Sequence, residues 1–442
     1  MLKVCILGAG WAGLLCSYEI KKLNPDAHVE IYERERRDNL GGLLRSEVIN
    51  GHTFDIGGPH ILFSRNKEIL KEVVSFLGEN VRSLERKSFI HYEGKLIQYP
   101  FENGLFSLDG EQRAKFGEGL INAMIQNAKN PNWVPTNFMD WIYGFFGNEM
   151  ASKYLEPYNR KIWKRDPNDI DADWVFSPGR VPFPELSSLI RSVAGIPTTG
   201  NKEQADFYYP RRGGINALYN SLLRIVEKYG VKVRCGEEVK GLAKRTNGKW
   251  TVNGLGEYDK VISTLPLNEI SSLVESPTDI SNNANSLDFN QVVVTGISIN
   301  KPGPEQHAVY VPDNGVNFHR YTWMSSLTSD TPEGKSNIIS EVTVPKGIDL
   351  NLEENISKTI EGFANLGVIK SDGDVDFIKS WPHKYGYPVY TKGNRAKAAG
   401  VLDYLREQGI YSVGRWGSWE YWNTDKVFEA VKNIIRDPLF QG

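Results

Sequence analysis

The stretch Lys3-Val4-Cys5-Ile6-Leu7-Gly8-Ala9-Gly10-Trp11-Ala12-Gly13 decides the fold. Its opening residues form a short apolar run that is typical of a buried parallel strand. The residues after Gly13 predict a helix that ends near Asn24, and His28-Val29-Glu30-Ile31-Tyr32 predicts a second strand leading into Glu33. A strand, a GxGxxG turn, a helix, a second strand and then an acid twenty residues after Gly13 are typical of a dinucleotide-binding unit.

Each glycine of this unit has a predicted task. Gly8 allows the sharp turn, Gly10 lets the backbone approach a pyrophosphate, and Gly13 lets the helix pack closely on the strand. The helix N-terminus presents unpaired N–H groups to the phosphates, and Glu33 can accept hydrogen bonds from ribose hydroxyls. A plain strand–helix–strand crossover is the alternative, and it would not require the glycine spacing or the acid.

The pair Gly41-Gly42, shortly after the acid, bears on which dinucleotide is bound. It resembles the pattern of the glutathione-reductase-like FAD-binding fold, in which the chain passes close to the cofactor. NAD dehydrogenases do not usually carry such a pair, although a flexible turn would also use it. The sequence therefore favours FAD over NAD.

Composition excludes several classes of function. The chain has 52 Lys+Arg against 54 Asp+Glu, and this balance argues against a nucleic-acid partner. No apolar run reaches the ~20 residues that a membrane helix needs, and the first strand starts too early for a signal peptide. The three cysteines favour a reducing compartment, so we expect a cytoplasmic protein. The seven histidines show no metal-ligand spacing, and no metal site is expected.

The order of elements predicts an α/β fold, in which a Rossmann-like FAD-binding parallel sheet carries an inserted helical subdomain and an antiparallel sheet subdomain. The domains are interleaved, because a sheet begun at residue 3 is completed after residue 409. The predicted divisions are a first segment of the FAD-binding domain (1–85), a hairpin of the sheet domain (86–103), a helical domain (104–180), a second segment of the FAD-binding domain together with a connecting segment (181–266), the antiparallel sheet or substrate domain (267–380) and a third segment of the FAD-binding domain (381–442).

Further motifs along the whole chain resemble those of UDP-galactopyranose mutases, within the amine-oxidase and glutathione-reductase-like flavoprotein superfamily. They occur in the order seen in that family, from residue 3 to about 436. The motifs are Gly57-Gly58-Pro59-His60-Ile61, Tyr99-Pro100-Phe101, Pro157-Tyr158-Asn159-Arg160-Lys161-Ile162-Trp163, Pro210-Arg211-Arg212-Gly213-Gly214, Gly386-Tyr387-Pro388-Val389 and Gly414-Arg415-Trp416-Gly417-Ser418-Trp419-Glu420-Tyr421. Related amine oxidases also carry a C-terminal Gly-Arg element, so that motif alone does not separate the families.

This resemblance implies an isomerase that interconverts UDP-galactopyranose and UDP-galactofuranose, or a closely related UDP-sugar. In such enzymes reduced FAD, the active form, attacks the sugar through N5, and the resulting flavin N5–sugar adduct allows the ring to change size with no net redox change. A reductant such as NAD(P)H would keep the flavin reduced. Galactofuranose donors generally serve cell-surface polysaccharide biosynthesis, and the resemblance also allows a homo-oligomer.

The resemblance assigns roles to individual residues. Arg180 and Arg320 match the family's diphosphate arginines, and His60 falls where the family has a histidine near the flavin N5. Trp163 and Asn159 match positions on the substrate side of the site. The tyrosines that contact the substrate diphosphate in the family match Tyr310, Tyr387 and Tyr421.

The same comparison extends the cofactor site beyond the first glycines. Gly58 would allow close approach to the flavin ring, Val239 would hold adenine through its backbone, and Gly414 and Arg415 would lie by the pyrophosphate or the ring. The cofactor-binding residues expected from the sequence are thus Gly8, Gly10, Gly13, Glu33, Gly41, Gly42, Gly58, Val239, Gly414 and Arg415.

Two departures from the family pattern leave the exact sugar open. Asn423 stands where the mutases commonly have Asp, and Phe207 stands where one bacterial tyrosine is expected. Two other interpretations also stay open. One is an FAD-dependent amine-oxidase-like oxidoreductase or desaturase, and the other is a flavin-binding protein that has lost catalysis. The arginines and tyrosines favour the mutase, because an apolar polyene or tetrapyrrole site has no use for a diphosphate clamp.

Overall fold

The structure is a computed structural model that describes residues 1–176, 185–198, 205–437 and 440. The strands are β1 (Lys3–Leu7), β2 (His28–Glu33), β3 (Ser46–Ile49), β4 (His52–Asp55), β5 (Val81–Glu85), β6 (Phe89–Tyr92), β7 (Lys95–Gln98), β8 (Asp206–Pro210), β9 (Lys232–Cys235), β10 (Leu242–Lys244), β11 (Trp250–Val252), β12 (Leu255–Tyr258), β13 (Lys260–Ser263), β14 (Phe289–Ile299), β15 (Ala308–Tyr310), β16 (Arg320–Trp323), β17 (Ser336–Pro345), β18 (Val375–Pro388) and β19 (Ile410–Ser412). The helices are α1 (Trp11–Leu23), α2 (Lys67–Ser75), α3 (Phe101–Gly104), α4 (Gly110–Lys129), α5 (Phe138–Met150), α6 (Glu156–Trp163), α7 (Leu186–Val193), α8 (Asn216–Lys228), α9 (Leu267–Ile270), α10 (Thr278–Ser286), α11 (Met324–Leu327), α12 (Leu352–Asn365), α13 (Asn394–Gln408) and α14 (Thr424–Arg436).

A five-stranded parallel sheet with the order β19-β13-β1-β2-β9 contains the strands of the predicted dinucleotide-binding unit. The apolar residues of β1 are fully buried, as expected for a central strand that is covered on both faces. The helix α1 packs tightly against this strand, because a Cβ added at Gly13 would lie 2.0 Å from the carbonyl oxygen of Gly8. The predicted α/β fold is thereby confirmed, including a final strand contributed after residue 409.

The second sheet has seven strands in the order β18-β14-β17-β16-β15-β6-β7. The sequence predicts an antiparallel sheet, and the pairing is antiparallel except between β15 and β6, which run parallel. The sheet is therefore mixed, because the hairpin β6–β7 joins it from an early region of the chain. The predicted domain division at residue 381 falls inside β18, whose residues up to Pro388 pair with β14.

Helices α3 to α7 make up the helical region of the chain. Its interior is aromatic, and Phe138, Trp141 and Phe146 are fully buried there. None of the helices described is both long enough and apolar enough to cross a bilayer. Within the described residues there is also no cluster of three or more His, Cys, Asp or Glu side chains that could hold a metal ion.

Candidate active site

Two cavities adjoin each other, because several residues line both of them. The larger, of about 730 Å³, lies beside the glycine turn that follows β1 and contains the residues of the predicted dinucleotide site. The smaller, of about 260 Å³, is lined by residues of the seven-stranded sheet and of the helical region. The residues that line both cavities are Leu43, His60, Arg415, Asn423 and Thr424. A ligand in the larger cavity can therefore meet a second ligand at this junction.

The start of α1 is built to receive a phosphate. Gly10 is the N-cap of the helix, no side chain caps it, and no acidic residue lies in the first turn. A Cβ added at Gly10 would find open space, with no atom within 4 Å. The free N–H groups of the first turn and the positive end of the helix dipole thus face an open groove, which is the arrangement that binds a pyrophosphate.

Glu33 lies at the end of β2 and lines the same cavity. Its Oε2 accepts a hydrogen bond from the Ala9 N–H at 2.8 Å, and its Oε1 accepts one from the Glu35 N–H at 2.9 Å. These bonds fix the glycine turn against the second strand. Each carboxylate oxygen can still accept another bond, so the predicted contact with ribose hydroxyls remains available.

The remaining predicted cofactor residues also line this groove or border it. Gly41, with φ 124°, and Gly42 line the larger cavity, and Gly58, with φ 87°, lines the smaller one. Val239 lines the larger cavity, and no residue in the described stretches of the chain bonds its backbone N–H or C=O. Gly414 also lines the larger cavity, and a Cβ there would lie 2.8 Å from the Ala12 side chain.

The junction itself holds polar atoms that lack partners. The Nε2 of His60 and the Nε of Arg415 are both enclosed and make no hydrogen bond with the residues described. Buried polar atoms of this kind are normally satisfied, so they point to a polar ligand at the junction. Together with the open phosphate groove, they fit a flavin dinucleotide whose ring system reaches the junction.

His60 is neutral in this environment. Burial, together with the nearby charges of Arg415 and Arg320, lowers the pKa of its imidazole to about 3, against the opposing hydrogen bond to the Gly57 backbone. A neutral imidazole presents one donor and one acceptor. His60 lines both cavities, and its place near the flavin ring stays a prediction.

Arg320 lines the smaller cavity and is held by an acid that the sequence did not reveal. Its Nε and Nη2 donate to Oε1 of Glu341 at 2.9 and 2.5 Å, and Tyr387 donates its hydroxyl proton to Oε2 at 2.6 Å. No described residue engages Nη1 of Arg320. One guanidinium N–H₂ group is thus left for a ligand.

A second arginine in this cavity, Arg86, was also missed. It follows β5, donates from Nη2 to the Tyr310 hydroxyl at 3.2 Å and from Nε to Ser88 Oγ at 3.1 Å, and lies over the ring of Tyr99. Tyr99 and Tyr310 stack with their ring centroids 4.8 Å apart. The predicted substrate residue Tyr310 therefore belongs to a cationic and aromatic wall of the cavity.

The other predicted substrate residues form an aromatic group next to the junction. The guanidinium carbon of Arg415 lies 4.3 Å from the ring centroid of Tyr421 and 5.4 Å from that of Tyr387. Trp163 packs edge-on against both tyrosines, with its indole N–H bonded to Asn159 Oδ1 at 3.1 Å. Asn159 thus orients the tryptophan as well as lining the cavity.

The remaining positions singled out from the sequence lie in different places. Arg180 lies outside the described residues. Asn423, the departure from the mutase pattern, lines both cavities at the junction. Phe207, the other departure, is buried and packs edge-on against His307.

One more acidic side chain of the cavity was missed from the sequence. Glu102 is only 4% exposed, and burial raises the pKa of its carboxyl to about 7, against a smaller opposing effect of the backbone. An acid directly after the motif Tyr99-Pro100-Phe101 was a signal that could have been used, and so was Glu341 as the one charged residue of β17. Arg86 lies in a charged loop and gave no such signal.

The model of the family described as flavin containing amine oxidoreductase matches residues 11–421. Among curated proteins, the coproporphyrinogen III oxidase of Mycobacterium bovis is 21% identical over 61% of this chain and 60% of its own length. The human protoporphyrinogen oxidase is 24% identical over 71% of this chain and 68% of its own length. The chain thus spans about 60% of the length of the first of these relatives.

Among solved structures, a reduced UDP-galactopyranose mutase is similar with a TM-score of 0.86 and 24% identity, over 98% of this chain and 93% of that chain. A structure described as a putative protoporphyrinogen oxidase from Exiguobacterium is similar with a TM-score of 0.75 and 16% identity, over 100% and 99% of the two chains. At these identities the similarity shows the fold alone. The family match extends over most of the chain, and the chain belongs to the flavin-containing amine oxidoreductase family as an enzyme whose cofactor is FAD.

Proposed function

We propose that this flavoenzyme is a nucleotide-sugar mutase, which interconverts the pyranose and furanose forms of UDP-galactose or of a closely related UDP-sugar with no net redox change. The observation that carries the proposal is the content of the smaller cavity. It combines Arg86 and Arg320 with tyrosine hydroxyls, and it meets the FAD groove at His60 and Arg415. The motif resemblance and the similarity in fold to a mutase structure support the same function.

The cavity suits a diphosphate in charge and in geometry. A diphosphate carries about two negative charges, and planar guanidinium groups match phosphate oxygens better than ammonium groups do. Arg320 is held rigidly by Glu341, so that its Nη1 stays oriented without a ligand. Arg86, whose Nη2 donates to the Tyr310 hydroxyl, adds a second guanidinium group to the lining of this cavity. Arg180, by its motif, is a third candidate.

The reacting sugar would lie at the junction, in contact with the aromatic group of Trp163, Tyr387 and Tyr421. Reduced FAD bound in the groove supplies a nucleophilic nitrogen, and NAD(P)H is a suitable class of reductant for it. Neutral His60 can donate or accept one hydrogen bond at the junction without adding a charge. Trp163, oriented by Asn159, gives the sugar an apolar face to stack on.

The second candidate is a porphyrinogen oxidase, and the curated relatives favour it. Such an enzyme would take electrons from its substrate and pass them to an acceptor, whereas a mutase consumes neither an oxidant nor a reductant during turnover. The two candidates therefore differ in a measurable balance of oxygen and reductant. The ion pair that orients Arg320 on Glu341 and the polar tyrosine wall favour the nucleotide sugar, because a macrocycle oxidation needs no oriented phosphate donors.

The experiment uses the FAD-loaded enzyme after reduction by dithionite. We expect UDP-galactofuranose to be converted to UDP-galactopyranose for many turnovers per reducing equivalent, and Arg320→Ala to lose this activity while keeping its flavin. Arg245→Ala, at an exposed position paired with Glu257, is the matched control and should behave as the unmodified enzyme. Oxidation of a porphyrinogen with peroxide formed per turnover, and no sugar conversion, would contradict the proposal.

A further inference from the structure

His319 is a cavity residue that none of the roles above uses. It directly precedes β16 and is 1% exposed. Its backbone is fixed on both sides, since its N–H donates to the Glu341 carbonyl at 3.1 Å and its carbonyl accepts from the Val311 N–H at 2.9 Å. The main chain at His319 is therefore anchored on both sides, and the residue lines the smaller cavity.

The ring of His319 lies between two tyrosines. Its centroid is 6.4 Å from that of Tyr158 and 6.0 Å from that of Tyr387, both edge-on. Nδ1 is enclosed and has no partner, and no described residue bonds Nε2 either. Because Nδ1 is enclosed and Nε2 is not, Nε2 is the nitrogen that a ligand in the cavity can reach.

The surroundings of His319 keep it uncharged. Burial lowers the pKa of the imidazole well below its usual value, and the charges of Arg320, Lys161 and Lys164 lower it further, against the smaller opposing effect of the Glu341 backbone. A neutral imidazole offers one donor and one acceptor, which matches a hydroxyl group better than it matches a phosphate, an acceptor only. The cations of the cavity already serve the phosphates.

We propose that His319 is a specificity-determining residue that bonds a hydroxyl of the sugar moiety of the nucleotide sugar through Nε2. This inference rests on the proposed function. The sugar is the moiety concerned, because His319 contacts Tyr387, and Tyr387 contacts Arg415 at the junction where the reacting carbon must lie. The ring of Tyr158 closes the other side of the imidazole.

The test compares the binding of UDP-galactose with that of UDP, followed by the change in flavin absorbance of the FAD-loaded protein. His319→Phe should weaken the binding of UDP-galactose by about tenfold, which is the usual cost of a lost hydrogen bond to a polar group. The binding of UDP should weaken by less than about twofold. His319→Gln places its amide where Nε2 was and should restore most of the binding. His319→Asn mimics Nδ1 and should not. His28→Gln, at an exposed histidine, is the control.

Equal weakening of both ligands, unchanged binding, or equal rescue by Asn and Gln would overturn the assignment. If the Phe variant does not retain FAD, the difference between Gln and Asn decides the question alone. If the unmodified enzyme binds UDP-galactose but does not isomerise it, the proposed function is overturned. The affinities of the His319 variants for UDP-galactose and UDP still test the role of His319 in that case. Failure to bind either ligand would overturn both.

Discussion

Arg320 and Glu341 face each other across the paired strands β16 and β17, and one carboxylate oxygen of Glu341 accepts both the Nε and the Nη2 protons of Arg320. Glu341 is buried and Arg320 is half-buried, and Tyr387 donates its hydroxyl proton to the other carboxylate oxygen. Such a pair costs desolvation, but it fixes the guanidinium in one orientation. The orientation of Arg320 is therefore set by the sheet before any ligand arrives.

Replacing Glu341 separates the charge of this pair from its geometry. Glu341→Gln removes a negative charge from the cavity while leaving Arg320 charged, so we expect UDP to bind as tightly as before or more tightly. Because Arg320 loses its charged partner, kcat should fall by about tenfold, and the loss of the ion pair between half-buried Arg320 and buried Glu341 should cost roughly 1–3 kcal/mol of stability. Binding titrations, turnover and thermal unfolding measure these effects. Glu354→Gln, on an exposed helical pair, is the control; weaker UDP binding with unchanged kcat would contradict the assignment.

Arg86 provides a second test of the diphosphate wall. Arg86→Ala should weaken the binding of UDP by about tenfold or more, because a charge-assisted hydrogen bond is lost. The flavin content should remain unchanged. Arg86→Lys keeps the charge but not the fork, and should recover only some of the affinity. Equilibrium titration with UDP measures both. A loss of FAD in place of UDP would assign this arginine to the cofactor.

The open groove at Gly10 predicts an effect confined to the cofactor. In Gly10→Ala the added methyl group meets no protein atom, so the apoprotein should melt at the same temperature as the unmodified apoprotein. The methyl group would occupy the approach of the pyrophosphate, and FAD content should fall on the order of tenfold. Gly13→Ala, whose Cβ would lie 2.0 Å from the Gly8 carbonyl, should instead destabilise the apoprotein. Full FAD content in Gly10→Ala would show that the phosphates lie elsewhere.

Glu102 predicts a dependence of stability on pH. Its folded-state pKa, about 7, lies above the ordinary 4.5, so the stability it contributes is fully present below pH 4.5 and is lost as pH rises to 7. The loss amounts to about 3 kcal/mol at most. Glu102→Gln stays neutral, and its advantage in melting temperature should grow between pH 4.5 and 7 and then remain constant. Glu79→Gln, at an exposed position, should show no such trend; an advantage independent of pH would contradict the buried, unpaired carboxyl.

Local pattern was enough to predict the nucleotide-binding region of the fold. The glycine spacing, the helix after Gly13 and the strand before Glu33 are all short-range features, and the parallel sheet confirms them. The long edge strand β18 was missed as one element, because its residues alternate irregularly and include prolines at 382 and 388. The parallel pairing of β15 with β6 joins residues more than two hundred positions apart, which periodicity does not reveal.

Residues that belong to a sequence motif were predicted to line the site. Residues that reach the cavity only through the register of paired strands were missed. Glu341 reaches Arg320 only because β16 and β17 pair in one particular register, so a spacing of twenty-one residues carries no signal by itself. Arg86, in the loop before β6, meets Tyr310 because β6 pairs with β15. The roles of the predicted site residues stay predictions, and Arg180 lies outside the described residues.

The most direct test of the proposed mutase activity is the balance of electrons during turnover of UDP-galactofuranose by the anaerobically reduced enzyme. We expect conversion to the pyranose form for many turnovers after one initial reduction, with the flavin still reduced at the end. On limited exposure to oxygen, the amount of peroxide formed should not exceed the amount of bound flavin. Conversion that stops after one turnover per reducing equivalent, or substrate oxidation by the oxidised enzyme without sugar isomerisation, would contradict it.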